Sequence, residues 1–288
     1  MAKQNLGRYG IWSIGLRTED PARRGEVAEA ATELEELGFG AIWLGGSTSV
    51  DHAVPLVEAT SGITVATGIQ SIWQHEAAET AARFAELEAV HPGRFLLGLG
   101  VSHAKLVEQY RRPYAAMVAY LDALDAAGVP ADRRVLAALG PRMLRLSRDR
   151  AAGSHPYLVT PEHTAEAREA LGSGALLTPE LKVILEPDAD RARSVARAHL
   201  AFYLTLPNYT NTFLRLGYTE PDLADGGSDR LIDAVYAWGD DDRIRERVDE
   251  FHAAGADHVA LQVLDRREDD ALPRKEWERL AEVVGVTG

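Results

Sequence analysis

Residues 98–103, Gly-Leu-Gly-Val-Ser-His, place two glycines and a histidine at the end of an apolar run. Glycines there let a flat ring approach the backbone, because no Cβ stands in the way. His103 then sits on the rim, as a candidate proton donor or as a structural hydrogen-bonder, and residue type alone leaves both open. The run resembles the dinucleotide fingerprint, but its final position is His103 where a glycine is needed, so a Rossmann reading is rejected.

Two further segments join a cap to a proline. In Leu139-Gly140-Pro141-Arg142, Gly140 gives a tight turn and Pro141 suits the first helical position. In Thr160-Pro161-Glu162-His163, Thr160 is a good N-cap and Pro161 again takes the first position. Two helix N-termini on adjacent loops aim unpaired N–H groups at one place, which suits a phosphate. Two ordinary well-capped helices show the same spacing.

The stretch from Gly68 to His75 is polar and aromatic for a segment that follows an apolar run, and Trp73 within it is a candidate pocket wall. Trp12 and Trp43 are best explained by core packing. His75-Glu76-Ala77-Ala78-Glu79 has Glu79 where the zinc helix signature needs a second histidine, so no metal site is expected. There is no G-x-S-x-G elbow and no Walker A loop. With no cysteine in the chain, disulfides, thiolate metal sites and a cysteine nucleophile are excluded.

What positions these groups is an alternation of short apolar runs with longer amphipathic ones. Strands are predicted at 10–14, 41–44, 63–69, 95–99, 135–139, 156–159, 181–185 and 258–263. Helices are predicted at 26–37, 76–90, 113–127, 142–150, 162–171, 241–254 and 275–284. Gly38 closes the first helix, and Asp240-Asp241-Asp242 opens a later one, where acidic groups favour the dipole. Runs apolar at every position suit parallel strands covered on both faces. Eight such strands separated by helices point to an α/β fold, a (β/α)8 TIM barrel, with an open doubly wound sheet as the alternative. One domain is expected over residues 1–288, with a helical insertion at about 188–239, broken at Pro207 and at Asp225-Gly226-Gly227-Ser228, that shapes a pocket or a subunit contact.

The 288 residues are 46% hydrophobic and 26% charged, enough for a large core. The net charge of -13 repels nucleic acid and anionic membranes, but says nothing against a small anionic cofactor held by local backbone amides. No apolar run approaches the length of a membrane span, and residues 1–10 lack a signal-peptide pattern, so a soluble cytoplasmic protein is expected.

Several segments together resemble the luciferase-like monooxygenase family, over nearly the whole chain. They are Leu37-Gly38-Phe39-Gly40-Ala41-Ile42-Trp43, residues 63–68, His91-Pro92-Gly93-Arg94-Phe95-Leu96-Leu97-Gly98-Leu99-Gly100, residues 138–141 and residues 254–259. The run from His91 to Gly100 is similar to the family's S-x-G-R-F-x-L-G-x-G, and the set is similar to members that use the deazaflavin coenzyme F420. The resemblance implies a luciferase-like barrel, F420 as cofactor with FMN as the alternative, a small-molecule substrate and a homodimer.

Residue by residue, it implies a non-prolyl cis peptide at Gly68-Ile69 forming a bulge behind the ring, with Gln70 and Ser71 in the same cofactor site. It implies ring contacts at Gly100 and Val101, and phosphate contacts at Leu139, Gly140, Pro141 and Thr160. His103 falls where a related sugar-phosphate dehydrogenase carries an acidic catalytic residue. Gly45-Gly46-Ser47 stands where that enzyme has Ser-Asp-His, so Ser47 replaces a catalytic histidine and the same substrate does not follow. Ser47 and Trp73 are then pocket residues, and His103 is the proton-transfer group in hydride transfer between the deazaflavin and a small organic substrate. An FMN-dependent monooxygenase would differ by consuming oxygen. A third possibility is a barrel without cofactor, acting as a binding or scaffold protein, for which the glycines at 45 and 46 speak.

Overall fold

The computed structural model describes residues 6–102, 112–265 and 271–286. His103 lies outside the described residues.

The strands are β1 (Tyr9–Ser13), β2 (Ala41–Gly45), β3 (Thr64–Gly68), β4 (Gln70–Ser71), β5 (Phe95–Gly100), β6 (Arg134–Leu136), β7 (Gly153–Ser154), β8 (Leu176–Leu177), β9 (Glu180–Ile184), β10 (Tyr236–Trp238) and β11 (Val259–Val263). They pair in parallel throughout, in the order β10-β9-β11-β1-β2-β3-β5-β6-β7-β8, with β4 on β5. Only Thr178 and Pro179 separate β8 from β9. Thr178 N–H donates to Ser154 O and Glu180 N–H to Pro156 O, both at 2.9 Å, while Ala260 N–H donates to Pro179 O at 3.0 Å. Segment 176–184 therefore bonds to β7 on one side and to β11 on the other.

The apolar runs are continuous because successive residues serve two different cores. Ile11, Ile42, Val65, Leu97 and Leu261 pack outward against the helices. Their neighbours Trp12, Trp43, Ala66, Leu96 and Ala260 pack on the inner side. This is the period-2 alternation of a strand buried on both faces. At Gly98 a Cβ would lie 1.9 Å from Thr67 O, so β3 and β5 approach there as only glycine allows.

Helices fill the intervals as expected, including Arg24–Glu36, Ala77–Val90, Pro113–Ala126 and Asp241–Ala253. Gly38 has φ 92°, the left-handed turn after the first of these, and Asp240 caps the last by accepting Arg243 N–H. Several elements differ from the expectation, the unpredicted short strands β4 and β8 among them. The sixth strand is Gly153–Ser154, not 156–159, since Pro156 has no N–H to give to a ladder and Leu158 is left-handed at φ 57°. A short helix, Val54–Ala59, went unpredicted. Stretch 188–239 folds as helices Ala189–Tyr203, Pro207–Arg215, Glu220–Leu223 and Asp229–Val235, but it ends in an unforeseen strand, β10. These helices have a core of their own, with Ala196, Leu200, Phe213, Leu231 and Ile232. Among the described residues no helix is long and apolar enough to cross a membrane.

Candidate functional site

A cavity of about 370 Å³ opens beyond the C-terminal ends of β3, β5, β6 and β7. In a sheet of parallel strands followed by helices, this is the end where loops gather around a ligand. Gly68, Ile69 and Ser71 line it from the first segment, Gly100 and Val101 from the second, and Leu139 and Gly140 from the third. Ser47 joins them from the loop after β2. The Gly68–Ile69 peptide bond is cis. Trp12 Nε1–H donates to Gly68 O at 3.1 Å, so Trp12 is both a core residue and part of the cavity floor.

Four residues singled out in the sequence are not brought to the cavity. Gln70 alternates with Ser71 along β4, so it points the other way, where its amide donates to Thr80 Oγ1 at 2.6 Å. Trp73 stands one layer back and donates from Nε1 to Val101 O at 2.6 Å, buttressing a lining residue. Pro141 is exposed at the start of helix Pro141–Arg150. Thr160 is fully buried, and its hydroxyl accepts His163 N–H in its own helix.

The two helix N-termini therefore differ. The helix after Thr160 is capped by its own side chain. The helix after Gly140 has no side-chain cap, which leaves the Arg142 and Met143 N–H groups without an intrahelical acceptor. Of the two, it is this uncapped end that meets the cavity. Ser47 is less free than its position suggests, because its hydroxyl donates to Gln74 Oε1 while Arg17 holds its carbonyl.

The sequence pointed to the 188–239 segment as one that shapes a pocket or a subunit contact, but singled out none of the residues on the far side of the cavity. His155 and Tyr157 follow β7, and Phe202, Tyr203 and Tyr209 come from the 188–239 helices. His155 stacks on Trp43, with centroids 4.0 Å apart and planes 6° off parallel, and its Nδ1 donates to Thr178 O at 2.6 Å. Burial pushes its pKa down to about 3, so the ring is neutral. Tyr157 and Tyr203 share a hydrogen bond of 3.0 Å, and the Tyr157 hydroxyl donates to Gln262 Oε1 at 3.2 Å. Burial raises both phenols above their ordinary range.

Beneath Tyr157 lies a fully buried ion pair, Lys182 Nζ to Glu180 Oε2 at 2.6 Å, with the ammonium 3.6 Å from the Tyr157 ring centre. One local signal could have exposed it: Glu180-x-Lys182 puts two charges on alternate positions of an otherwise apolar strand, hence on one face. Nothing local marks Tyr157 or Tyr203, which meet from 46 residues apart.

No charged side chain lines the cavity among the described residues, and His155 is neutral. Of the four exposed large hydrophobic residues described, Ile14 and Phe202 stand at its wall. The arrangement suits a flat, largely apolar ligand with an anionic end at the uncapped helix.

Residues 10–128 match the model of the luciferase-like monooxygenase family. No curated protein is significantly similar to the chain. Among solved structures, the chain is similar to the coenzyme F420 dependent tetrahydromethanopterin reductase from Methanopyrus kandleri, at TM-score 0.74 and 16% identity, over 96% of this chain and 98% of the other. It is similar to an F420-dependent secondary alcohol dehydrogenase in complex with an F420-acetone adduct, at TM-score 0.72 and 13% identity, over 100% of both chains. It is also similar to the oxygenating constituent of 3,6-diketocamphane monooxygenase from Pseudomonas putida in complex with FMN, at TM-score 0.64 and 13% identity, over 96% of this chain and 97% of the other.

Proposed function

We propose that the chain is a luciferase-like oxidoreductase on a closed (β/α)8 barrel, using coenzyme F420 for hydride transfer to or from a small organic substrate. The reading extends to one barrel domain over residues 1–288, with the insertion before the last strand, and to a cytoplasmic homodimer. The observation that carries it is the convergence of Gly68, Gly100 and the uncapped helix at Gly140 on one cavity that no charged side chain lines among the described residues. When bound, a deazaflavin supplies the hydride, and the protein supplies position and electrostatics.

In this reading Gly68, Ile69 and Ser71 back the ring, and Gly100 and Val101 flank it. Leu139 and the N–H groups beyond Gly140 hold the phosphate. Gln70, Trp73, Pro141 and Thr160 support these residues from behind. His103 keeps the role of proton-transfer group, and Ser47 borders the substrate.

Equilibrium titration of the purified protein with F420 and, separately, with FMN tests the cofactor. Tighter binding of F420 is expected. A preference for FMN moves the assignment to a monooxygenase, and binding of neither moves it to a scaffold protein.

Gly140 offers a second test. Its φ is -101°, and a Cβ there would meet nothing within 4 Å, so Gly140→Val should fold with an unchanged melting temperature. Its branched side chain would project into the space the phosphate needs. The affinity for F420 should fall roughly tenfold or more, which is about 1.4 kcal/mol. Unchanged affinity removes Gly140 from the cofactor site.

A further inference from the structure

We propose that Tyr203 determines which substrates bind, its hydroxyl donating a hydrogen bond to the carbonyl oxygen of a neutral, apolar ketone or aldehyde. The proposal deepens the functional reading above and rests on it for the reaction that follows binding.

The cavity is uncharged among the described residues, so an ionic substrate finds no countercharge there. An apolar substrate does find walls, in Ala138, Leu139 and Met143 on one side and Phe202 and Tyr209 on the other. Within these walls the Tyr157–Tyr203 hydroxyl pair is a concentrated polar point. Tyr203 is the last residue of helix Ala189–Tyr203, and neighbouring rings fix its position. Tyr209 meets its ring edge-on at 5.3 Å and 88°, and His199 lies 4.9 Å away. A hydroxyl held by that much packing is placed before the ligand arrives.

Proton accounting decides what the pair can offer. Gln262, Tyr157 and Tyr203 form a row, at 3.2 and 3.0 Å. If the Gln262 carbonyl faces Tyr157, the Tyr157 proton goes to Gln262, and that of Tyr203 is left for Tyr157 or for a ligand. If the amide is turned round, Gln262 donates to Tyr157, Tyr157 can donate to Tyr203, and the Tyr203 proton is then left for a ligand. Either way Tyr203 has a proton to give, so the fitting partner is an acceptor. Burial keeps both phenols protonated. A neutral acceptor on an apolar body is a carbonyl oxygen.

The test uses the full-length chain and a matched pair of probes, acetophenone and 2-phenylpropene, in which the carbonyl oxygen is replaced by a methylene group. Affinities of both are measured by calorimetry for the wild type and for Tyr203→Phe. The ratio favouring acetophenone should fall roughly tenfold in the variant, the share of one well-made hydrogen bond. In parallel, the infrared carbonyl stretch of 13C-labelled acetophenone should lie lower in the wild-type complex than in hydrocarbon solvent, and should return towards the hydrocarbon value in Tyr203→Phe. An unchanged ratio, an unshifted stretch in the wild type, or no binding of either probe overturns the proposal. The wild-type stretch remains decisive even if the variant fails to fold.

Titrating Tyr203→Phe with F420 and FMN keeps the two ideas apart. Loss of the carbonyl preference with cofactor affinity intact supports this subsite and leaves the functional reading standing. A carbonyl preference in a protein that binds neither cofactor supports the subsite and sinks the functional reading.

Discussion

Lowering the pH from 7 to 5 is expected to cost the folded chain about 6 kcal/mol through three histidines alone. Burial pushes His155 and His199 down to about 3 and His258 to about 4, against an ordinary 6.5. Each ring is kept neutral by burial, against hydrogen bonds to backbone carbonyls that favour the charged form at His155 and His258. His155 donates to Thr178 O, and His199 Nδ1 meets the Tyr236 hydroxyl at 2.8 Å. His258 meets Gly7 O through Nδ1 at 3.0 Å and accepts Trp43 Nε1–H on Nε2 at 3.0 Å. Because the folded values lie below 6.5, the unfolded chain takes up protons first on acidification. Stability is complete above pH 6.5 and falls as the pH drops towards 4 and then 3. At pH 5 each histidine stands 1.5 units below its free value, a loss of about 2 kcal/mol. Urea unfolding at half-unit steps from pH 7.5 to 5 measures it. A free energy independent of pH over that range would mean that the three rings titrate normally and are not buried as described.

The alternation of parallel strands with helices was legible because the strands that carry it are buried on both faces. β1, β2, β3, β5 and β11 are five or six residues long and buried almost throughout, so composition alone marks them. β7, β8 and β10 are two or three residues long, and a period cannot be read from so few. They exist because neighbours offer them a ladder, not because of their side chains. The same division runs through the site. Gly100 and Gly140, which line the cavity, could be picked out because backbone shape is written locally, in glycines, prolines and caps, whereas Gly68 entered only through the family resemblance. Gln70 and Thr160 do not line the cavity for local reasons too: the first because of strand alternation, the second because its hydroxyl is spent on its own helix. Tyr203 is a different case. It belongs to the cavity only because helix Ala189–Tyr203 returns to the strand ends, and no spacing in the sequence announces that.

Lys182→Met should lower the unfolding free energy by about 3–5 kcal/mol, the usual cost of removing one partner of a buried ion pair. Both side chains are at 0% exposure, so the surviving Glu180 carboxylate would gain no compensation from water. Its Oε2 would keep only Leu158 N–H at 3.3 Å, and its Oε1 has no partner among the described residues. The carboxylate can escape by taking a proton, and burial already raises its pKa even with Lys182 present. Without the ammonium it rises further. A carboxylate raised above its unfolded value contributes stability below that value and loses it as the pH rises through the folded one. The penalty in Lys182→Met should therefore be larger at pH 8 than at pH 5.5. The double variant Glu180→Gln with Lys182→Met removes both charges and should recover most of the loss. Denaturant unfolding of the three proteins at the two pH values separates the cases. A single-variant loss under about 1 kcal/mol, like that of an exposed pair, would show that water reaches the charges. The pair also bears on the cavity. With Lys182 gone, the cation 3.6 Å from the Tyr157 ring disappears, and Tyr157 is the residue against which Tyr203 is aligned. A single variant that folds should therefore bind acetophenone less selectively, although Lys182 does not line the cavity.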